Sequence, residues 1–174
     1  MHLPGSALEG GAVFEGEGQA AIRIGRMIDA LLRSYQGVIA AETGHISVHE
    51  AGAIEANGHK VLALPHQYGK ISAGEVEKYL DDYNNDANHE HMVMPGMIYL
   101  SHPTEYGTLY SKAELQAFRN VCDKYGIYLY VDGARLAYAL SCPDNDVTLR
   151  GIPLTVLPAV KQRRILLLSP ESQN

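Results

Sequence analysis

The chain is short of three things, and each shortage excludes a class of protein. Cysteine is the first: Cys122 and Cys142 are the only two. A small secreted domain held by disulfides needs a denser framework, so free thiols in a reducing compartment are expected. Long apolar runs are the second. No stretch approaches the ~20 residues that span a bilayer, and no basic segment followed by an apolar block stands at the start. A membrane anchor and a signal peptide are therefore not expected, and the cytoplasm is the expected location. Positive charge is the third: 14 Lys and Arg stand against 20 Asp and Glu, a net charge of −6. Only Lys161–Arg164 gathers cations. A nucleic-acid backbone demands a basic face, so no such partner is expected.

What the chain does have is ordinary for a globular domain: 174 residues, 46% hydrophobic and 20% charged, enough to bury a sizeable core. Ile24, Met27, Ile28, Leu31, Leu32 and Tyr35 recur at helical spacing, which predicts an amphipathic helix ended by Gly37. Short apolar runs at Val38–Ala41, Lys60–Leu64, Met97–Leu100 and Tyr128–Val131 predict strands. Between them, Ser72-Ala73-Gly74-Glu75 and Ser111-Lys112-Ala113-Glu114 are capping boxes, each opening a helix with an apolar stripe. Strand and helix alternate, which predicts an α/β fold with a mostly parallel sheet flanked by helices.

In such a sheet, ligands bind outside the carboxyl ends of the strands. Tyr128-Leu-Tyr-Val-Asp132-Gly-Ala-Arg135 delivers an acid and a base to that rim. Asp132 has two readings there, a ligand contact or the cap of a helix over Ala134–Tyr138. His45, His49 and Glu50 follow another strand. The two histidines would share a helix face at zinc-ligand spacing, although the full H-E-x-x-H pattern is missing. Ser101-His102-Pro103-Thr104-Glu105-Tyr106-Gly107 is a third polar strand end. His89-Glu90-His91 reads as a solvated turn. Near the start, Gly16-Glu17-Gly18 follows a short apolar run at Ala12–Phe14. It is either a phosphate cradle or a flexible leader.

Together these residues resemble a known family, the low-specificity threonine aldolases of the β-eliminating lyase group. The resemblance rests on His45-Ile46-Ser47-Val48-His49-Glu50-Ala51-Gly52-Ala53-Ile54-Glu55, Gly58-His59-Lys60-Val61-Leu62, Ser101–Tyr110 with Ser111–Leu115, and Asp132-Gly133-Ala134-Arg135-Leu136. It implies part of the large domain of the aspartate-aminotransferase-like fold, using pyridoxal 5′-phosphate. By that resemblance Asp132 would pair with the pyridine nitrogen and His45 would stack on the ring. Gly16 and Gly18 would echo the phosphate motif. Arg135 would hold the carboxylate of a small amino-acid substrate. His102 would stand near the substrate's β-hydroxyl. The reaction implied is cleavage of threonine to glycine and acetaldehyde in a homo-oligomer.

The resemblance runs from about Tyr35 to Arg150. It divides the chain into a degenerate N-terminal segment with the first helix (1–34), a cofactor-binding core (35–150) and a divergent tail (151–174). The family's Gly-Gly-Thr-Lys-like motif, whose lysine holds the cofactor covalently, has no counterpart; Lys161 stands in Pro158-Ala159-Val160-Lys161. A truncated copy with impaired turnover is therefore expected, or a non-catalytic remnant serving as an interaction module.

Overall fold

Strands buried on both faces read as continuous apolar runs, and the four runs here become parallel strands. The computed structural model describes residues 21–148. The expected strand at Ala12–Phe14, Gly16, Gly18, Lys161 and the tail fall outside them. The strands are β1 (Gln36–Ala41), β2 (Val61–Leu64), β3 (Met94–Ser101) and β4 (Tyr128–Asp132). They pair in the order β2-β1-β3-β4, each pair parallel. From β1 the chain moves outward to β2, then passes back over β1 to β3 and β4. The direction of winding reverses between β1 and β3. In open α/β sheets ligands bind at such a reversal, outside the carboxyl ends of the strands.

Helices cover both faces. Residues 21–31 form α1; with α2 (His45–Val48) and α3 (Ala53–Ala56) it covers one face. There Ile24, Ile28, Leu32, Ile46 and Ile54 pack with Val38, Met97, Tyr99 and Tyr130 of the sheet. On the other face α4 (Ala73–Asn85) and α5 (Lys112–Tyr125) lay Val76, Leu80, Leu115, Phe118 and Cys122 against Ile39, Ile98, Leu100 and Leu129. Both capping boxes form: Ser72 with Glu75 and Ser111 with Glu114 exchange side-chain and backbone hydrogen bonds. Gly126, in the left-handed region at φ 67°, ends α5, a conformation that would strain a residue with a Cβ.

Three expectations shift. The first helix stops at residue 31, and Gly37 lies inside β1 rather than at a helix end. A Cβ at Gly37 would meet the Lys60 carbonyl at 2.7 Å, so the glycine serves close strand packing. The third strand starts at Met94, before the expected Met97. Its partners run Gly37↔Pro95 and then Val38↔Met97, so Gly96 is an extra residue bulged out of the ladder. Finally, the helix after Asp132 is α6 (Leu136–Ser141), later than Ala134–Tyr138. His59, buried just before β2, has Nδ1 2.9 Å from the Gln36 carbonyl, while Nε2, 3.4 Å from the Asp29 carboxylate, makes no hydrogen bond.

Candidate functional site

Parallel register decides which side chains share a face. Tyr99 pairs with Tyr130, and Ser101 with Asp132, so the two tyrosines and the aspartate point to the α1 side of the sheet. The tyrosine rings stack with centroids 5.1 Å apart. At the end of this ladder the Tyr99 hydroxyl donates to Asp132 Oδ2, and the Ala134 amide donates to Oδ1 at 2.9 Å. Burial, and then the Asp132 charge, push the Tyr99 hydroxyl far above its ordinary pKa, which keeps it a donor. Asp132 is thus anchored through both oxygens. It does not cap α6, whose N-cap position is Arg135; it closes the turn that precedes it.

The β1 end supplies His45, the first residue of α2. Its Nδ1 lies 2.5 Å from Oε1 of Glu50, a carboxylate only 5% exposed. The imidazole itself is 32% exposed. The hydrogen bond to Glu50 raises the His45 pKa, burial opposes it, and the charges of Glu50, Asp132 and Glu105 add to the rise. Because β1, β3 and β4 are parallel neighbours, their carboxyl ends share one rim of the sheet. With Nδ1 committed to Glu50, Nε2 is the ring atom left for another group.

Glu50→Gln removes the largest contribution to the His45 shift. The imidazole pKa is expected to fall, measured by a pH titration of the ring resonances by NMR. The sign for stability follows from linkage. A histidine whose pKa is raised on folding adds stability that is full below its unfolded value, near 6.5, and fades as pH rises through the folded value. The variant is therefore expected to be more destabilised at pH 5.5 than at pH 9. An unchanged titration would mean that the short contact does not persist in solution.

The β3 end supplies Glu105, whose side chain is 13% exposed and whose Oε1 lies 3.7 Å from Arg135 Nη1. The Arg135 side chain is 40% exposed, leaving guanidinium donors facing outward.

His102 is not part of this group. Its backbone amide donates to the Asp132 carbonyl at 2.9 Å, but its side chain is 1% exposed and goes to the other core layer. There the ring sits beside Tyr110, 6.3 Å between centroids, and Nδ1 accepts from the Tyr110 amide at 3.3 Å. Burial, and then the Lys70 charge, lower its pKa. His49 stacks obliquely near His45 at 5.2 Å, yet among the described residues no group of three or more His, Cys, Asp or Glu is placed to hold a metal. The His89-Glu90-His91 segment is a short turn of 3-10 helix with no buried residue. A cleft of about 770 Å³ is lined by residues including Tyr68, Lys70, Thr108 and Glu114, but by none of His45, Asp132 or Arg135.

Sequence reasoning singled out His45, Asp132 and Arg135 by their places after strands, and did not single out Tyr99, which holds Asp132, or Glu105, which faces Arg135. Tyr99 carried a signal only in pairing with Tyr130, which needs the register. Glu105 carried one in its position within a loop bounded by Pro103 and Gly107.

The profile of the family described as beta-eliminating lyase matches residues 10–159. A low specificity L-threonine aldolase of Pseudomonas aeruginosa is 35% identical over 124 residues, 68% of this chain and 35% of that protein. The structure of Leishmania major threonine aldolase superposes with a TM-score of 0.69 at 45% identity, covering 79% of this chain and 38% of that one. A PLP-bound C-S lyase from Staphylococcus hominis shares the fold, with a TM-score of 0.50 at 13% identity over 67% of this chain and 28% of that one. The chain spans about a third of the length of the curated relatives it matches.

Proposed function

The chain belongs to the beta-eliminating lyase family, and from that premise we propose that its strand ends form the ring-holding part of a pyridoxal 5′-phosphate (PLP) site in a threonine-aldolase-like carbon–carbon lyase. The observation that carries the reading is Asp132. Its carboxylate is anchored through both oxygens at the rim of the sheet that also carries His45, the first residue of α2 after β1. A ring cation needs a fixed anion and a flat face, and the residues present fit that need.

Bound there, PLP would supply an electron sink for breaking a bond at the substrate's α-carbon. Asp132 would hold the pyridine nitrogen protonated, because a carboxylate in a partly desolvated site favours a paired cation over water. The tie to Tyr99 keeps that carboxylate from swinging away. His45 would lie against the ring, its plane set by the bond to Glu50, with Nε2 free to take a proton from a neighbouring group. Arg135 would bind the substrate α-carboxylate, a task suited to a planar fork of donors. A β-hydroxy-α-amino acid such as threonine is the substrate class this reading implies, with Gly16 and Gly18 proposed for the phosphate. His102, turned to the opposite face of the sheet, keeps at most a structural part.

Titration with PLP, followed by absorbance and by equilibrium dialysis, tests the reading. Saturable binding that inorganic phosphate weakens is the expected result; a linear, unsaturable uptake overturns it. A second reading is a non-catalytic module of the same family. It expects the same binding without cleavage of threonine.

A further inference from the structure

Glu105 sits in a loop that is built to hold it. Thr104 is buried and organises the turn around itself. Its amide donates to the Thr108 carbonyl at 3.0 Å and its carbonyl accepts from Gly107 at 2.9 Å. Its hydroxyl lies 2.6 Å from that of Thr108 and accepts from the Tyr106 and Thr108 amides, both at 3.3 Å. The Thr108 hydroxyl then donates to the Tyr68 carbonyl at 2.7 Å, which clamps the loop onto the segment after β2. Gly69 lies so close beneath that a Cβ there would meet Thr104 Oγ1 at 2.8 Å. A loop closed by this many bonds fixes the direction of the one residue between Thr104 and Tyr106.

That direction is inward, and it leaves an unmet need. Glu105 Oε1 is buried and has no hydrogen-bond partner. Arg135 Nη1, at 3.7 Å, offers charge but is beyond hydrogen-bonding distance. A buried carboxylate oxygen without a donor is costly, and in native proteins such an atom calls for an explanation. The position supplies one. Arg135 is the group proposed to take a ligand carboxylate, so a ligand seated on it brings its neighbouring atoms past Glu105. A hydroxyl on the adjacent side-chain carbon would donate to Oε1 without adding a charge.

We propose that Glu105 is a substrate-binding and specificity-determining residue: its buried Oε1 accepts a hydrogen bond from the β-hydroxyl of an amino acid whose α-carboxylate is held by Arg135. This inference rests on the reading of the site given above. It gives to the loop after β3 the role that His102, its ring in the opposite layer, is not placed to fill.

The test compares L-threonine with L-2-aminobutyrate, the same molecule without the hydroxyl, on the PLP-loaded chain. Affinities are measured by equilibrium dialysis of each labelled amino acid. The unaltered protein is expected to prefer threonine. Glu105→Ala should cut that preference about tenfold, the worth of one hydrogen bond to a charged group, while 2-aminobutyrate binds no more weakly. Glu105→Gln, which keeps the shape and a neutral acceptor, should cut it by less. A preference unchanged in both variants overturns the proposal. So does loss of both amino acids in the alanine variant with the glutamine variant unaffected, which would mark Glu105 as scaffold. If neither amino acid binds the unaltered chain, the reading of the site falls, and this inference with it. If both bind with no dependence on position 105, only this inference falls.

Discussion

Asp132→Asn is expected to weaken PLP binding about a hundredfold while leaving the fold intact. Stripping one partner from a desolvated ion pair costs about 3 kcal/mol at the lower end of its range, and each 1.4 kcal/mol or so is a factor of ten in affinity. The lower end applies because Asp132 is only partly buried. The amide is nearly isosteric. Its oxygen can still accept from Ala134, and its amino group can donate to the Tyr99 hydroxyl, so neither neighbour loses its partner. Affinity by equilibrium dialysis and the unfolding midpoint by circular dichroism, measured on the same samples, separate the two effects. An affinity within a factor of about two of the unaltered chain, less than 0.5 kcal/mol, would end the case for a ring cation at this carboxylate.

Phe118→Ala is expected to do the reverse. Phe118 lies in the α5 side of the core, its ring edge-on to Tyr110 at 5.7 Å. Tyr110 in turn accepts from the Ile71 amide at 3.1 Å. Removing a buried phenyl ring takes away its transfer free energy and leaves a cavity that the sheet cannot close, at a cost of about 3–5 kcal/mol. Denaturant unfolding should show that loss as a lower midpoint with an unchanged slope. PLP affinity measured well below the transition should move by no more than about 0.5 kcal/mol, as for separate sites. The sheet stands between this ring and Asp132. If the Phe118 variant lost PLP as strongly as the Asp132 variant, the two layers would be coupled and the site would not belong to one face.

These two variants also mark what can be read along the chain. Phe118 and its companions announce themselves by helical spacing behind a capping box, because a helix must put one stripe inward and must satisfy its first amides locally. The strand ends announce themselves too. An apolar run followed at once by Asp132, or by His45 a few residues on, is local information. Gly37 shows the limit: the same residue ends helices and lets strands approach, and only the neighbouring Lys60 carbonyl tells which task it has. His102 shows it again. Next to a strand end and chemically versatile, it reads as a site residue, yet one step of side-chain alternation carries its ring to the opposite layer.

By itself, then, the sequence determined the alternation of strands and helices, the capped starts of α4 and α5, and the three polar strand ends. Each of these is set by contacts within a few residues. Tertiary structure alone decided that β1 and β3 are neighbours, that Tyr99 stands in register to hold Asp132, that Glu50 holds His45, and that Glu105 rather than His102 faces Arg135. Strand order, register and the face a side chain takes depend on pairing between segments tens of residues apart. No local pattern carries that pairing, because a shift of one residue leaves composition untouched and reverses every side chain.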